Sequence, residues 1–231
     1  MWLTHDFGKI ATLIKGAQRP KSLFLGQYDL YYTCDLLFYS HDRGGVHIMK
    51  ECSPIDTRGQ LRRDWKASVC ASYFCDFVSR MLPAHSASPR LFSLLDTSLS
   101  HLCSGTPTGA FIFWFELRVL EAAGLSPRLD RCIVCDTTSL LMNEKYLFSY
   151  SRGGLLCESC ANAGGERPIA VNAEAMTVMR QLQAANLTTD IGKHKCAAKR
   201  LLQIGRMLDL FIGYHAPAMP ASRSIVMNML Q

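Results

Sequence analysis

Four cysteines hold the clearest chemistry in the sequence: Cys132-Ile133-Val134-Cys135, a spacer of 21 residues, then Cys157-Glu158-Ser159-Cys160. Two residues between paired cysteines let one tight turn aim both sulfurs at a single ion. Two such knuckles supply the four thiolates of a tetrahedral site. The spacer reads as a hairpin, with a strand over 146–150, a turn at Ser151-Arg152-Gly153-Gly154, and Leu155-Leu156 leading into the second knuckle. A hairpin carries the chain out and back, which would deliver Cys157 beside Cys132. The expected ion is zinc, and four thiolates would fill its coordination sphere, so the site is expected to be structural rather than catalytic. Arg131, Lys145 and Arg152 are candidates to offset the thiolate charge. A redox Cys-x-x-Cys pair and metal-free buried cysteines are the competing readings, and a second pair at this separation counts against both. Cys34, Cys52, Cys70, Cys75, Cys103 and Cys196 show no such pairing and read as small core residues.

Two basic runs could meet phosphates. Lys9, Lys15, Arg19 and Lys21 fall within 13 residues that contain no acid, and Gly16, Pro20 and Ser22 mark the end of that run as an exposed loop after a strand. Tyr28, Tyr31, Tyr32 and Phe38 nearby could stack bases. A solvated loop over a hydrophobic strand fits the same pattern. In the second run, Lys195, Lys199, Gln203 and Arg206 share one stripe of a helix with Arg200 beside it, while Leu201, Leu202, Leu208 and Phe211 are expected inside. That stripe reads either as a phosphate-binding face or as a merely solvated one. The 25 Lys and Arg against 19 Asp and Glu, a formal charge of +6, lean mildly toward anionic partners. His101 and His194 have no partner spacing and read as structural or surface residues.

The elements that must position these groups come in three styles. Residues 1 to about 57 are β-rich: strands are expected over 8–15 and 28–40, a turn at His41-Asp42-Arg43-Gly44-Gly45, and a strand over 46–52 closed by Ser53-Pro54. Next, Trp65, Val69, Tyr73, Phe77 and Met81 recur every fourth residue on one helix face, and a second helix is expected over 91–103. In the third helix Thr106 is the expected cap, Pro107 the first helical residue and Gly124 the C-terminal cap, with Pro127 preventing continuation. Between them the apolar residues surround the axis, so this helix should be buried at the centre of a helical domain. Asn172 should cap a helix to about Ala185, and another is expected over 193–212.

Several function classes find no support. The most lipid-like stretch, 110–115, ends at Glu116 and Arg118, far short of a membrane span. The start lacks the basic flank and apolar core of an export signal, which predicts a reducing, cytoplasmic setting for the cysteines. No catalytic triad, paired carboxylates, GxxxxGK[ST] or HExxH motif is evident.

In this order the chain resembles the RecO family of bacterial DNA repair and recombination mediators over nearly its whole length. The matching stretches are Lys15-Gly16-Ala17-Gln18-Arg19-Pro20-Lys21-Ser22, Phe115-Glu116-Leu117-Arg118-Val119-Leu120 with the run from Gly124 to Cys135, Phe148 to Cys157, and Ser222-Arg223. The resemblance implies an α+β chain with an N-terminal OB-fold β-barrel over 1–57. A helical domain would comprise 58–127 and 169–231, with an inserted four-cysteine zinc module at 128–168. It further implies a non-enzymatic factor that binds single- and double-stranded DNA and anneals complementary strands. Such a factor works with RecR and single-strand-binding protein to help load RecA, in the cytoplasm at the nucleoid. On this basis Lys15, Arg19 and Lys21 become the first DNA-contact candidates, with Lys9, Lys195, Lys199 and Arg206 after them, and Cys132, Cys135, Cys157 and Cys160 are the zinc ligands.

Two departures stand out. Family members usually begin further upstream, with a first strand that helps close the barrel, and this chain starts after it. An incomplete barrel or a longer natural N-terminus is therefore expected. Gln18 stands where the family often has arginine. A zinc-ribbon module that binds only proteins, and a nucleic-acid enzyme that uses zinc only as scaffold, are the alternative readings.

Overall fold

The computed structural model describes residues 1–17, 19–41, 45–83, 86–140, 144–165, 167–185, 198–216 and 220–229. Gln18, His194, Lys195, Cys196 and the 42–44 portion of the expected turn lie outside them. The chain is a mixed α+β protein that divides into two compact units, Met1–Thr106 and Pro107–Gln231.

In the first unit β1 (Trp2–Thr4) pairs antiparallel with β2 (Gly8–Ile10). A separate sheet has the order β3-β5-β4: β3 (Thr12–Leu13) runs parallel to β5 (His47–Asp56), which pairs antiparallel with β4 (Thr33–Tyr39). The continuous strand expected over 8–15 is thus split between two sheets, and β1 was not anticipated. Nor does Pro54 end β5. It sits opposite Cys34 beside a register shift, a place where a strand tolerates proline. Among the described residues these strands close no barrel.

Past β5 the backbone turns left-handed at Arg58, with φ 42°. The Arg58 guanidinium is buried, and its Nη1 donates to the Tyr31 carbonyl at 2.8 Å and to Thr33 Oγ1 at 2.6 Å. Its Nη2 meets Asp96 Oδ1 at 2.6 Å. One side chain therefore joins the entry to β4 with α2 (Pro89–Ser104). A buried charge without such partners would be several kcal/mol worse. After one 3-10 turn at Gly59–Arg62, α1 (Trp65–Met81) starts on Asp64, whose Oδ1 accepts from the Lys66 and Ala67 N–H groups at 2.8 and 3.2 Å. Tyr73, Phe74, Phe77 and Val78 are buried on α1 as the period predicts, but Trp65 at its first position is 64% exposed. The buried side begins at Ala67 and Cys70, and Val69 of the predicted face is only half-buried.

The second unit is built around α3 (Gly109–Ala122), buried from Gly109 to Leu117 and again at Val119 and Leu120. Thr108, not Thr106, is the cap, its hydroxyl accepting from Phe111 N at 3.3 Å, so Pro107 precedes the helix. At the far end Gly124 has φ 74°, and Leu125 N–H reaches back to the Leu120 carbonyl at 2.8 Å, a Schellman closure. Around α3 pack α5 (Ala173–Ala184), capped by Asn172, and α6 (Ala198–His215). Helix α7 (Ser222–Met229) completes the unit.

Within that apolar helix Glu116 has no exposure, and it is matched by Arg223 from α7. Arg223 donates to both carboxylate oxygens, Nε to Oε1 at 2.9 Å and Nη2 to Oε2 at 3.2 Å, while its Nη1 takes Asp209 Oδ1 at 2.8 Å. Removing one partner of such a pair strands the other charge in the core. Arg223→Met is therefore expected to lower unfolding stability by about 3–5 kcal/mol, read from urea unfolding. Glu116→Leu combined with Arg223→Met should recover most of that loss. An unshifted midpoint in the single variant would contradict the assignment.

Candidate functional site

The four-cysteine cluster is assembled by a small sheet. β6 (Lys145–Ser149) pairs with β7 (Gly154–Leu156) as a hairpin, and β8 (Ile169–Asn172) adds on the other side of β6. At the hairpin turn Gly153 has φ 80°, which a side chain rarely tolerates. Gly154 serves a different need: a Cβ there would come within 2.9 Å of the Arg128 carbonyl. That closeness lets residues 128–133 run along the free edge of β7. Arg128 N bonds the Gly153 carbonyl at 2.9 Å, Leu155 N bonds the Arg128 carbonyl at 3.0 Å, and Ile133 N bonds the Leu155 carbonyl at 2.8 Å. This edge pairing carries the first knuckle to the second.

Each knuckle is a distinct turn. In the first, Asp136 is left-handed at φ 58°, and its N–H closes on the Cys132 carbonyl at 3.0 Å. In the second, Cys157 is the N-cap of α4 (Glu158–Ala163), which places Cys160 one turn on. The four sulfurs lie within 4.8 Å of one another, with Cys135 and Cys157 at 3.6 Å. Such a group can hold a metal ion, and with all four ligands from protein it leaves no open position for substrate. Cys132 and Cys157 are buried while Cys135 is exposed, so the cluster sits at the surface edge of its unit.

The local electrostatics fit a cation-binding group. Burial acts to raise the Cys132 thiol, but backbone N–H groups of Cys135, Cys157 and Val134 outweigh it and bring it down to about 6. The Cys160 thiol moves the other way, pushed up to about 12 by its thiol neighbours Cys157 and Cys135 and by burial. The Cys132 thiolate forms readily, and Cys135 and Cys160 resist ionising beside it without a positive ion. Of the expected compensating bases, Arg131 pairs with Asp130 at 2.8 Å, and Lys145 and Arg152 are exposed.

Side chains from α5 and α6 hold the module against its unit, and sequence reasoning missed them. Arg180 Nε donates to the Leu129 carbonyl at 2.8 Å, and its guanidinium lies 4.8 Å from the Tyr146 ring centroid. Gln183 Nε2 bonds the Pro127 carbonyl at 2.8 Å, and His215 Nε2 lies 2.7 Å from the Tyr150 carbonyl. Nothing in local spacing marks these contacts, since each joins residues more than thirty positions apart.

The basic candidates fall into separate places. Lys15, Arg19 and Lys21 are exposed on a run of consecutive turns, with Arg19 N bonded to the Gly16 carbonyl and Ser22 N to the Arg19 carbonyl. Lys9 is instead tied down, its Nζ donating to the Ser79 carbonyl on α1 at 2.6 Å. On α6 in the other unit Lys199 and Arg206 are exposed and Arg200 pairs with Glu174 at 2.6 Å, while Lys195 is outside the described residues. Leu208 and Phe211 face inward as expected, but Leu202 is 56% exposed. Of the four aromatic candidates, Tyr28 packs edge-on to Trp2, Phe38 packs against Phe7 and His47, and the Tyr31 hydroxyl bonds the Ser68 carbonyl. Tyr32 instead carries the Arg62 guanidinium 5.2 Å above its ring.

With this geometry in place, comparison with known proteins is informative. The family model described as "Recombination protein O C terminal" matches residues 62–224. The chain is 27% identical over 221 residues to a DNA repair protein RecO of Syntrophus aciditrophicus, covering 91% of this chain and 81% of that one. It is 31% identical over 182 residues to the Dehalococcoides mccartyi protein of the same name, covering 78% and 69%, and 29% identical over 185 residues to that of Anaeromyxobacter sp. (strain K), covering 80% and 72%. The Phe115–Leu120 and Ser222-Arg223 stretches that carried the resemblance are the two that meet in the buried Glu116–Arg223 pair. The chain belongs to the RecO family.

Proposed function

We propose that this chain is a DNA repair protein of the recombination pathway that binds single- and double-stranded DNA and anneals complementary single strands, without enzymatic turnover. Family membership carries the reading, since the relatives are named as DNA repair proteins. Annealing asks for no bond chemistry. The protein need only screen phosphate repulsion and hold strands near each other while base pairing supplies the free energy. The exposed cations Lys15, Arg19 and Lys21 are the first proposed contacts, followed by Lys199 and Arg206, with Lys9 and Lys195 completing the set. Residues 1–57 would act as an OB-fold-like DNA-binding domain, 58–127 and 169–231 as a helical domain, and 128–168 as the metal module. RecR, single-strand-binding protein and, through them, RecA are the proposed partners, at the nucleoid.

The ion proposed for Cys132, Cys135, Cys157 and Cys160 is zinc. Tetrahedral zinc with Zn–S bonds near 2.3 Å sets its sulfurs about 3.8 Å apart, and the sulfurs here already lie within 4.8 Å of one another. Zinc would supply structural cross-linking and charge neutralisation only. The protein residues do the rest: the knuckle N–H groups favour thiolate, and the β7 edge holds the two pairs together.

Two expected outcomes test this. Cys132→Ser or Cys157→Ser should take zinc from about one ion per chain toward none, with a clear fall in melting temperature, because half a knuckle does not hold the ion. Elemental analysis showing unchanged zinc would contradict this ligand set. Arg19→Glu with Lys21→Glu should weaken binding to single strands of any sequence and flatten the logarithmic salt dependence by roughly 0.7 per lost contact. Unaltered affinity and slope in a fluorescence anisotropy titration would remove that loop from the contact surface. An absence of DNA binding by the parent chain, with protein partners still bound, would favour the interaction-module reading instead.

A further inference from the structure

A second exposed surface of the first unit has the composition of a nucleic-acid contact and lies apart in sequence from the 15–21 loop. Residues 62–66 read Arg62-Arg63-Asp64-Trp65-Lys66, and all five are exposed. Their one acid, Asp64, is turned onto the N-terminus of α1, where its carboxylate caps the helix. Among the described residues Arg62, Arg63 and Lys66 make no ion pair, and the acid between them is already engaged with backbone.

Two aromatic rings adjoin these cations, Trp65 exposed and Tyr32 half-buried. Trp65 is 64% exposed, with Lys66 Nζ 5.8 Å from its ring centroid. The Arg62 guanidinium lies over Tyr32 at 5.2 Å. Tyr32 is brought here by its neighbour: Tyr31 adopts φ 67°, its hydroxyl reaches the Ser68 carbonyl in the first turn of α1, and its own carbonyl accepts from buried Arg58. Arg58 also begins the 3-10 turn that Arg62 ends. The corner is therefore held by a buried side chain rather than by loop contacts alone. A large, flat indole left mostly in water at the first position of a helix buries little of its surface in the core and offers a face to a planar partner.

We propose that Trp65 and Tyr32, with Arg62, Arg63 and Lys66, form a stacking contact for single-stranded nucleic acid. This rests on the reading of the chain as a DNA-binding protein. Flat aromatic faces take unpaired bases of any sequence, and the adjoining cations track the phosphates. A duplex hides its base faces, so this corner distinguishes single strands from double, whereas cations alone do not.

The test uses the full chain and a fluorescein-labelled oligothymidylate, with affinity read by anisotropy across a salt series. Melting curves establish that each variant is folded. Trp65→Ala should weaken binding roughly 5- to 100-fold, the range that loss of one stacked base implies, with the salt slope unchanged. Trp65→Phe should retain most of the affinity. Arg62→Gln, Arg63→Gln and Lys66→Gln together should flatten the slope by about 2, from roughly 0.7 per contact. On an abasic oligonucleotide of equal length, Trp65→Ala should have little effect. If the parent binds oligothymidylate and Trp65→Ala binds it equally well, the stacking contact is overturned and the DNA-binding reading survives. If the parent binds neither oligonucleotide at any salt, both fall. Equal weakening on the abasic strand, or polyglutamate competing through Trp65 as well as DNA does, would also overturn the proposal, the latter in favour of an acidic peptide.

Discussion

Four thiols within 4.8 Å of one another cannot all ionise in company without a cation among them. That constraint accounts for much of the second unit. The hairpin returns the chain, Gly154 admits a neighbouring backbone, and residues 128–133 take the vacant edge of β7 so that both knuckles meet. Backbone N–H groups then lower the Cys132 thiol to about 6 while its neighbours push Cys160 to about 12. The geometry brings the four thiols together, and a bound cation would balance their charge. Zinc, as proposed, would have a structural part, holding a module whose sheet has only three short strands.

Buried arginines serve a parallel purpose in both units. Arg58 joins the start of β4 to α2, and Arg223 joins α7 to α3 and α6. Each guanidinium is matched by acids and carbonyls, which is the condition for keeping a charge in a protein interior. Such pairs contribute little net stability over a hydrophobic replacement, but they fix which surfaces meet. In the first unit the consequence reaches the surface, because the Arg58 hydrogen bond to Tyr31 sets the position of Tyr32 beside the exposed 62–66 run.

Local features were legible in the sequence, and long-range ones were not. The cysteine spacing, the hairpin, the Gly124 closure and the Asn172 cap all depend on residues close in the chain, and the structure has them near their expected places. The cap of α3 moved from Thr106 to Thr108 because two threonines flank Pro107 and either could serve. Trp65 fits the four-residue period of α1, so periodicity put it in the core, although a residue at the first position of a helix has no preceding turn to pack beside. Glu116 looked only like an interruption of an apolar run, since its partner Arg223 lies 107 residues away. Strand pairing in the first unit was the least legible part. The two short sheets there depend on register shifts and on a parallel pairing between β3 and β5 that no alternation pattern encodes.

The central proposal is that this RecO-family chain brings complementary single strands together by charge and base contact alone. Annealing of two labelled complementary oligonucleotides by the metal-loaded chain, followed by energy transfer across a salt series, tests it most directly. The account predicts acceleration over the protein-free rate at low salt, fading steadily as salt rises and counterions reclaim the phosphates. No acceleration at any salt by a folded, metal-loaded chain would contradict it.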